Sequence, residues 1–282
     1  MAALESTTSR HLSAWDGLAL HVREWGAAVD GHTPALLCLP GLVRTGADFT
    51  DLAARHAGRR RVVAIDYAGR GESGRAAAVE RYGPEACLRD VMDVCAALHL
   101  HRVAAVGTSF GGLLAMGLAA ARPTMLASLV LNDVGPDIGA AGATHIRRFV
   151  ADDPVLPSLA AAAAHLRAHL PDLSLDGEAE WQRFADLTYA RGDDGAWHPR
   201  WDTRIATLLD RAPRPLWPLF GALAGVPLML VHGERSTVLA AATVARMRAL
   251  RPDMALVGVP GVGHAPTLSE PVVAAALDTF LA

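Results

Sequence analysis

The chain has 282 residues, 51% of them hydrophobic, with 26 Lys and Arg against 29 Asp and Glu for a formal charge of −3. That length holds one large α/β domain or two smaller ones, with room for a sizeable core. Acidic and basic residues are interspersed rather than blocked, which argues against nucleic acid or an anionic membrane surface as partner.

The N-terminal MAALESTTSR lacks a basic segment running into an apolar one, so no secretory signal is expected and a cytoplasmic location follows by default. Val22 to Trp25 lies in an early strand region entered through an Asp16-Gly17 turn, and ALLCLPG, from Ala35 to Gly41, reads as a buried strand. Val62 to Asp66 is the next strand and leads into a Gly-rich loop. Pro84 to Leu100 has apolar residues at helical spacing, and Val103 opens another apolar strand. A helix over Leu113 to Ala121 stops before Pro123, and LASLVLND from Leu126 to Asp133 is again a strand. The uncharged run from Val103 to Ala121 is long enough to suggest a membrane span, but its central glycines and the polar Thr108 and Ser109 fit strand, turn and buried helix better.

The alternation resumes late, with a strand over Val226 to Gly233, a helix over Ala240 to Leu250, a strand over Met254 to Gly261 and a last helix from Glu270 to Leu281. Strands that are apolar on both faces and alternate with helices imply a doubly wound, mostly parallel α/β sheet. Between the halves strand signals vanish. Residues 135–224 therefore read as an inserted helical cap, with 1–134 and 225–282 as the core. Trp181, Phe184, Trp197, Trp201, Trp217 and Phe220 are candidates to line a pocket under that cap, Trp181, Phe184 and Trp217 foremost.

Cys38 falls in a buried strand. Cys87 and Cys95 lie eight positions apart on one helix, about 12 Å of rise and too far to bridge, so all three are expected as free thiols.

The chemistry centres on VAAVGTSFGG, where an apolar strand breaks at GTSFG and continues as an Ala/Leu-rich helix. Gly107 and Gly111 remove side chains that would collide in a sharp strand-to-helix turn, so Ser109 is lifted clear as a nucleophile. The Phe110 amide then sits at a helix N-terminus, where it favours a developing negative oxygen. A serine alcohol needs a base, and His264, in the Gly-flanked loop after the final strand, is placed for it in the chain order Ser, acid, His. The loop LPGLVRTG offers the second oxyanion donor in the amide of Leu42, approached through Gly41.

These residues together resemble the α/β-hydrolase family, in its serine hydrolase branch with a helical cap. The likeness extends to LPGL, to a D-x-x-G-x-G-x-S loop (Asp66, Gly69, Gly71, Ser73), to LVLNDVGP and to VPGVGHAPTLSEP. It departs at one position. Where the resemblance implies a triad aspartate after VHG, this chain reads GERSTVLA, with Thr237 in its place. The resemblance leaves Asp133 at the end of the preceding central strand as the foremost substitute, with Asn132 beside it, Glu234, or no acid as alternatives; strand alternation lets only one of the two neighbours face the site.

The activity implied is cofactor-independent hydrolysis of a small apolar ester or lactone through an acyl-enzyme on Ser109. Carbon–carbon bond hydrolysis on the same fold, or a binding scaffold with reduced catalysis, are the alternatives. No cofactor motif is present. His165 and His169 have the i, i+4 spacing of metal ligands, but the sequence offers no evident third ligand, so no metal is expected and the pair reads as a solvated or packing face.

Overall fold

A computed structural model describes residues 7–26, 33–210 and 214–282. The first six residues of the stretch examined for a secretory signal lie outside that range. Among the described residues ten strands form: β1 (Thr8–Ser13), β2 (Ala19–Trp25), β3 (Ala35–Leu39), β4 (Val62–Ile65), β5 (Val103–Thr108), β6 (Leu126–Asn132), β7 (Tyr189–Arg191), β8 (Trp197–Pro199), β9 (Leu228–Gly233) and β10 (Ala255–Val259). Eight of them make one sheet in the order β1-β2-β4-β3-β5-β6-β9-β10. From β4 to β10 every pairing is parallel, while β1 and β2 close one edge antiparallel.

Period-two alternation divides the sheet into two apolar faces. Leu37, Leu39, Val103, Ala105, Leu129 and Leu131 face one core cluster, together with α2 (Pro84–Ala97) and α3 (Phe110–Ala121). Leu36, Cys38, Ala104, Val106 and Val130 face the other, with α1 (Thr50–His56) and α9 (Pro271–Phe280). The doubly wound sheet expected from sequence is thus observed. The suspected membrane run resolves into β5 and α3, and among the described residues no helix is long and apolar enough to cross a membrane. All three cysteines are buried and unbridged.

Between β6 and β9 lies an insertion of α4 (Ala140–Ala151), α5 (Leu159–His169), α6 (Gly177–Thr188), the β7–β8 ribbon, a 3₁₀ turn over Thr203–Leu209 and α7 (Trp217–Gly221). The ribbon corrects the expectation of a strand-free segment: two antiparallel strands of three residues each are too short to show a period. Val150, Leu166, Trp201 and Ile205 of the insertion join the core cluster on the α2/α3 face. Between β9 and β10 lies α8 (Ala241–Leu250), and α9 follows β10.

The Asp66 loop clasps the antiparallel edge to the parallel sheet. Asp66 accepts from His21 Nδ1 at 2.9 Å and from the amides of Gly46 and Glu72 at 2.7 and 3.1 Å. A Cβ on Gly71 would lie 2.2 Å from Asp66 Oδ2, so only glycine fits there.

Candidate active site

Ser109 sits between β5 and α3 with φ +51° and ψ −117°, a backbone conformation that side-chain-bearing residues rarely adopt. Its neighbours explain how the strain is held. A Cβ on Gly107 would come within 2.6 Å of Gly112 Cα, one on Gly111 within 2.0 Å of the Leu39 carbonyl oxygen, and one on Gly112 within 2.4 Å of Val134. The Ser109 amide donates to the Asn132 carbonyl at 2.9 Å, fixing the turn against the end of β6.

His264 follows β10. Its Nε2 lies 2.8 Å from Ser109 Oγ and its Nδ1 lies 2.8 Å from Asp133 Oδ2. A carboxylate oxygen accepts, so Nδ1 donates to Asp133 and Nε2 faces the serine with its lone pair. Asp133 is fully buried just beyond β6, at φ +54°. Its second oxygen accepts from the Gly233 amide at 3.0 Å, and its own amide donates to the Val231 carbonyl at 2.8 Å. Since β6 and β9 are adjacent, a carboxylate at the end of β6 reaches the space that an acid after β9 would fill.

The other candidates lie elsewhere. Asn132 donates to Thr108 Oγ1 at 3.1 Å and to the Pro266 carbonyl at 2.9 Å. Glu234 is exposed beside Gly258, and Thr237 is exposed, its carbonyl packed where side chains on Gly139 and Gly142 would be. Ser236 Oγ accepts the amides of Val238 and Leu239 and so shapes only that turn.

Ser109 and His264 open onto a cavity of about 1580 Å³ that Gly41, Leu42 and Phe110 also line. Phe110 supplies the first amide of α3, a donor with no acceptor within its own helix. The Leu42 loop is anchored from behind by Arg70, a fully buried side chain whose Nε donates to the Leu42 carbonyl at 2.8 Å. Burial lowers the Arg70 pKa from its ordinary value. Sequence reading did not find this anchor, because an arginine in a Gly-rich loop reads as solvated. Nor did it find Arg44, which binds Asp48, holds the Thr188 hydroxyl and lies 4.1 Å over the Phe184 ring, joining the Leu42 loop to the insertion.

Of the aromatic candidates, Phe184 lines the cavity and Trp181 and Trp217 do not. Trp181, 5% exposed, stands edge-on behind Phe184, and Trp217 packs against Arg246 and Phe220. Trp197, Trp201 and Phe220 are likewise absent from the wall. Such large rings gain most by packing the insertion onto itself and the sheet. The wall is instead largely aliphatic, with Leu113, Ile146 and Leu170 beside Phe149.

This geometry can raise the nucleophilicity of a serine, hold a developing oxyanion and shuttle one proton. The Alpha/beta hydrolase family model matches residues 36–277. A 3-hydroxybutyrate-oligomer hydrolase from Cupriavidus necator is 33% identical over 91% of this chain and 90% of its own length. A 2-(acetamidomethylene)succinate hydrolase from Mesorhizobium japonicum is 26% identical over 88% of this chain and 85% of its own. The crystal structure of an α/β hydrolase from Novosphingobium aromaticivorans superposes with a TM-score of 0.91 at 39% identity, covering 98% of both chains. With the sheet order, the turn at Ser109 and these likenesses in agreement, the chain belongs to the α/β hydrolase family and is a hydrolase.

Proposed function

We propose that this hydrolase is a serine esterase that cleaves short oligoesters of a hydroxy acid through an acyl-enzyme. One observation carries the reading: the unbroken contact from Ser109 Oγ through His264 to Asp133, opening onto a largely apolar cavity. Ser109 Oγ attacks the ester carbonyl as its proton passes to His264 Nε2. Asp133, itself held by the Gly233 amide, keeps the Nδ1 proton in place and stabilises the imidazolium. The amides of Leu42 and Phe110 receive the oxyanion. His264 then protonates the leaving alkoxide, and water repeats the cycle on the acyl-enzyme.

The cavity supports a substrate larger than one short ester, since pockets for drug-sized ligands run about 300–1,000 Å³. The C. necator relative, named for 3-hydroxybutyrate oligomers, supports an oligoester of that kind. Walls drawn from both the sheet-end loops and the insertion support reading residues 135–224 as a cap over the substrate. Three unbridged cysteines support a reducing, cytoplasmic setting.

Steady-state hydrolysis of p-nitrophenyl butyrate and of the dimer and trimer of 3-hydroxybutyrate, by the native chain and by Ser109→Ala, tests this. Native turnover in the range of about 1–10³ s⁻¹ is expected on the preferred substrate, falling by about 10⁶ in the variant. Hydrolysis unchanged in Ser109→Ala sinks the mechanism. A kcat/KM no higher for the oligomers than for the simple ester returns the substrate to small esters or lactones.

A further inference from the structure

His165 and His169 stand one turn apart on α5, their rings stacked with centroids 4.1 Å apart. The sequence offered them no third partner. The fold supplies one in Asp152, which directly follows α4, so that one ligand atom from each of the three lies within 4.8 Å of the others.

The protonation pattern is set by neighbours. His169 Nδ1 lies 2.8 Å from the His165 carbonyl, which can only accept, so the proton is on Nδ1 and the Nε2 lone pair is free. His165 Nε2 is shielded from solvent and has no hydrogen-bond partner; Asp152 Oδ2 stands 3.4 Å away, beyond good hydrogen-bond length. A shielded nitrogen facing a carboxylate and a second imidazole, with no hydrogen bond formed at it, groups three metal-ligand atoms in one place.

We propose that Asp152, His165 and His169 form a transition-metal site that takes Zn²⁺, Ni²⁺ or Cu²⁺, with a coordination position left open to water. Zinc bonds of about 2.0–2.1 Å put tetrahedral donors about 3.4 Å apart, so side-chain rotation closes the present spread around an ion. Two imidazoles and one carboxylate suit these metals, whereas Mg²⁺ and Ca²⁺ prefer sets made of oxygen alone. The ion ties the end of α4 to the end of α5. His169 and Phe149 both line the cavity, so occupancy stiffens that stretch of its wall.

The test is calorimetric titration of chelator-treated, full-length protein with ZnCl₂ alone, repeated with NiCl₂ and with MgCl₂, alongside thermal melts. His169→Ala is the main variant, because the side chain is exposed and its loss leaves the fold intact. His99→Ala/His101→Ala serves as a control, since those rings form another close histidine pair on the surface. One saturable equivalent of Zn²⁺ and of Ni²⁺, a raised melting temperature with either, and no response to Mg²⁺ are expected for the native chain and the control. His169→Ala is expected to weaken Zn²⁺ binding by more than about tenfold and to abolish the rise. Equal binding by native protein and His169→Ala, or loss of binding in the control instead, overturns the site, as does an absence of saturable binding.

Discussion

The two walls of the cavity are built by opposite means. At the sheet ends, position is set by backbone: three glycines admit contacts that a Cβ would bring to between 2.0 and 2.6 Å, and Asp133 is locked between the ends of β6 and β9. The insertion is held by an apolar seam through Trp201, Tyr189, Val150 and Ile205, and by ion pairs at its rim such as Arg183–Asp51 and Arg235–Asp172. Reacting groups tolerate displacements of only about 0.5 Å, whereas a wall that shapes a substrate needs complementarity alone. Rigid turns are therefore found where protons would move, and side-chain packing where an acyl chain would lie.

The sharpest way to break this contrast is at Asp133. Asp133→Asn is expected to lower kcat by about 10⁴, near 5 kcal/mol of transition-state stabilisation, with the fold unchanged by circular dichroism. Thr237→Asp alone is expected to leave turnover unchanged, since the place beside His264 is filled. A gain in turnover from Thr237→Asp would show that Asp133 does not serve His264. On the other wall, Trp201 is 2% exposed and its indole N–H donates to the Val150 carbonyl at 2.9 Å. Trp201→Ala is expected to cost about 3–5 kcal/mol in urea denaturation. A cost below about 1 kcal/mol would mean that the seam does not hold the insertion.

Acid separates the regions by the sign of the response. His56, on α1 in the second core layer, is almost fully buried 3.1 Å from Asp278, yet burial outweighs that carboxylate and lowers its pKa to about 4. Between that value and the unfolded value near 6.5 only the unfolded chain takes the proton, so stability falls as pH drops through this window, by up to about 3 kcal/mol. On the insertion, the hydrogen bonds that His198 donates to Asp194 and Asp153 raise the pKa of this exposed side chain, so any stabilisation it gives is present at low pH and fades as pH rises. Denaturation midpoints across pH 4 to 7 should flatten in His56→Gln. An unchanged acid slope in that variant would assign it to other groups.

What the sequence disclosed follows the same division. Strands β3, β5, β6 and β9 were legible because a parallel sheet buried on both faces leaves unbroken apolar runs. The edge strand β1, TSRHLS, was not, being polar and mostly exposed. Glycine spacing pointed to the turn at Ser109. Position in the chain narrowed the partner of His264 to a few residues, but choosing among them required knowing that Asp133 turns at φ +54° and that β6 lies beside β9. In the insertion composition misled: tryptophans suggested a ligand surface, and Trp181 and Trp217 pack behind the wall. The third member of the α5 histidine cluster was equally hidden, since Asp152 lies in a connection that carries no period.

The smallest effect expected is also the one that isolates the rim. Arg183 on α6 donates to Asp51 on α1 at 2.7 Å, bridging the insertion and the core, with the two side chains 56% and 46% exposed. Each charge keeps much of its hydration, and the geometry must restrain two flexible chains, so such a pair contributes less than about 1 kcal/mol. Arg183→Met preserves the aliphatic stem and removes only the charge. Urea midpoints for this variant should lie close to the native value, and the remaining difference should shrink in about 0.5 M NaCl, where the screening length falls well below 10 Å. A loss of more than about 2 kcal/mol, insensitive to salt, would instead make the ion pair a structural latch and reverse the order of importance between seam and rim.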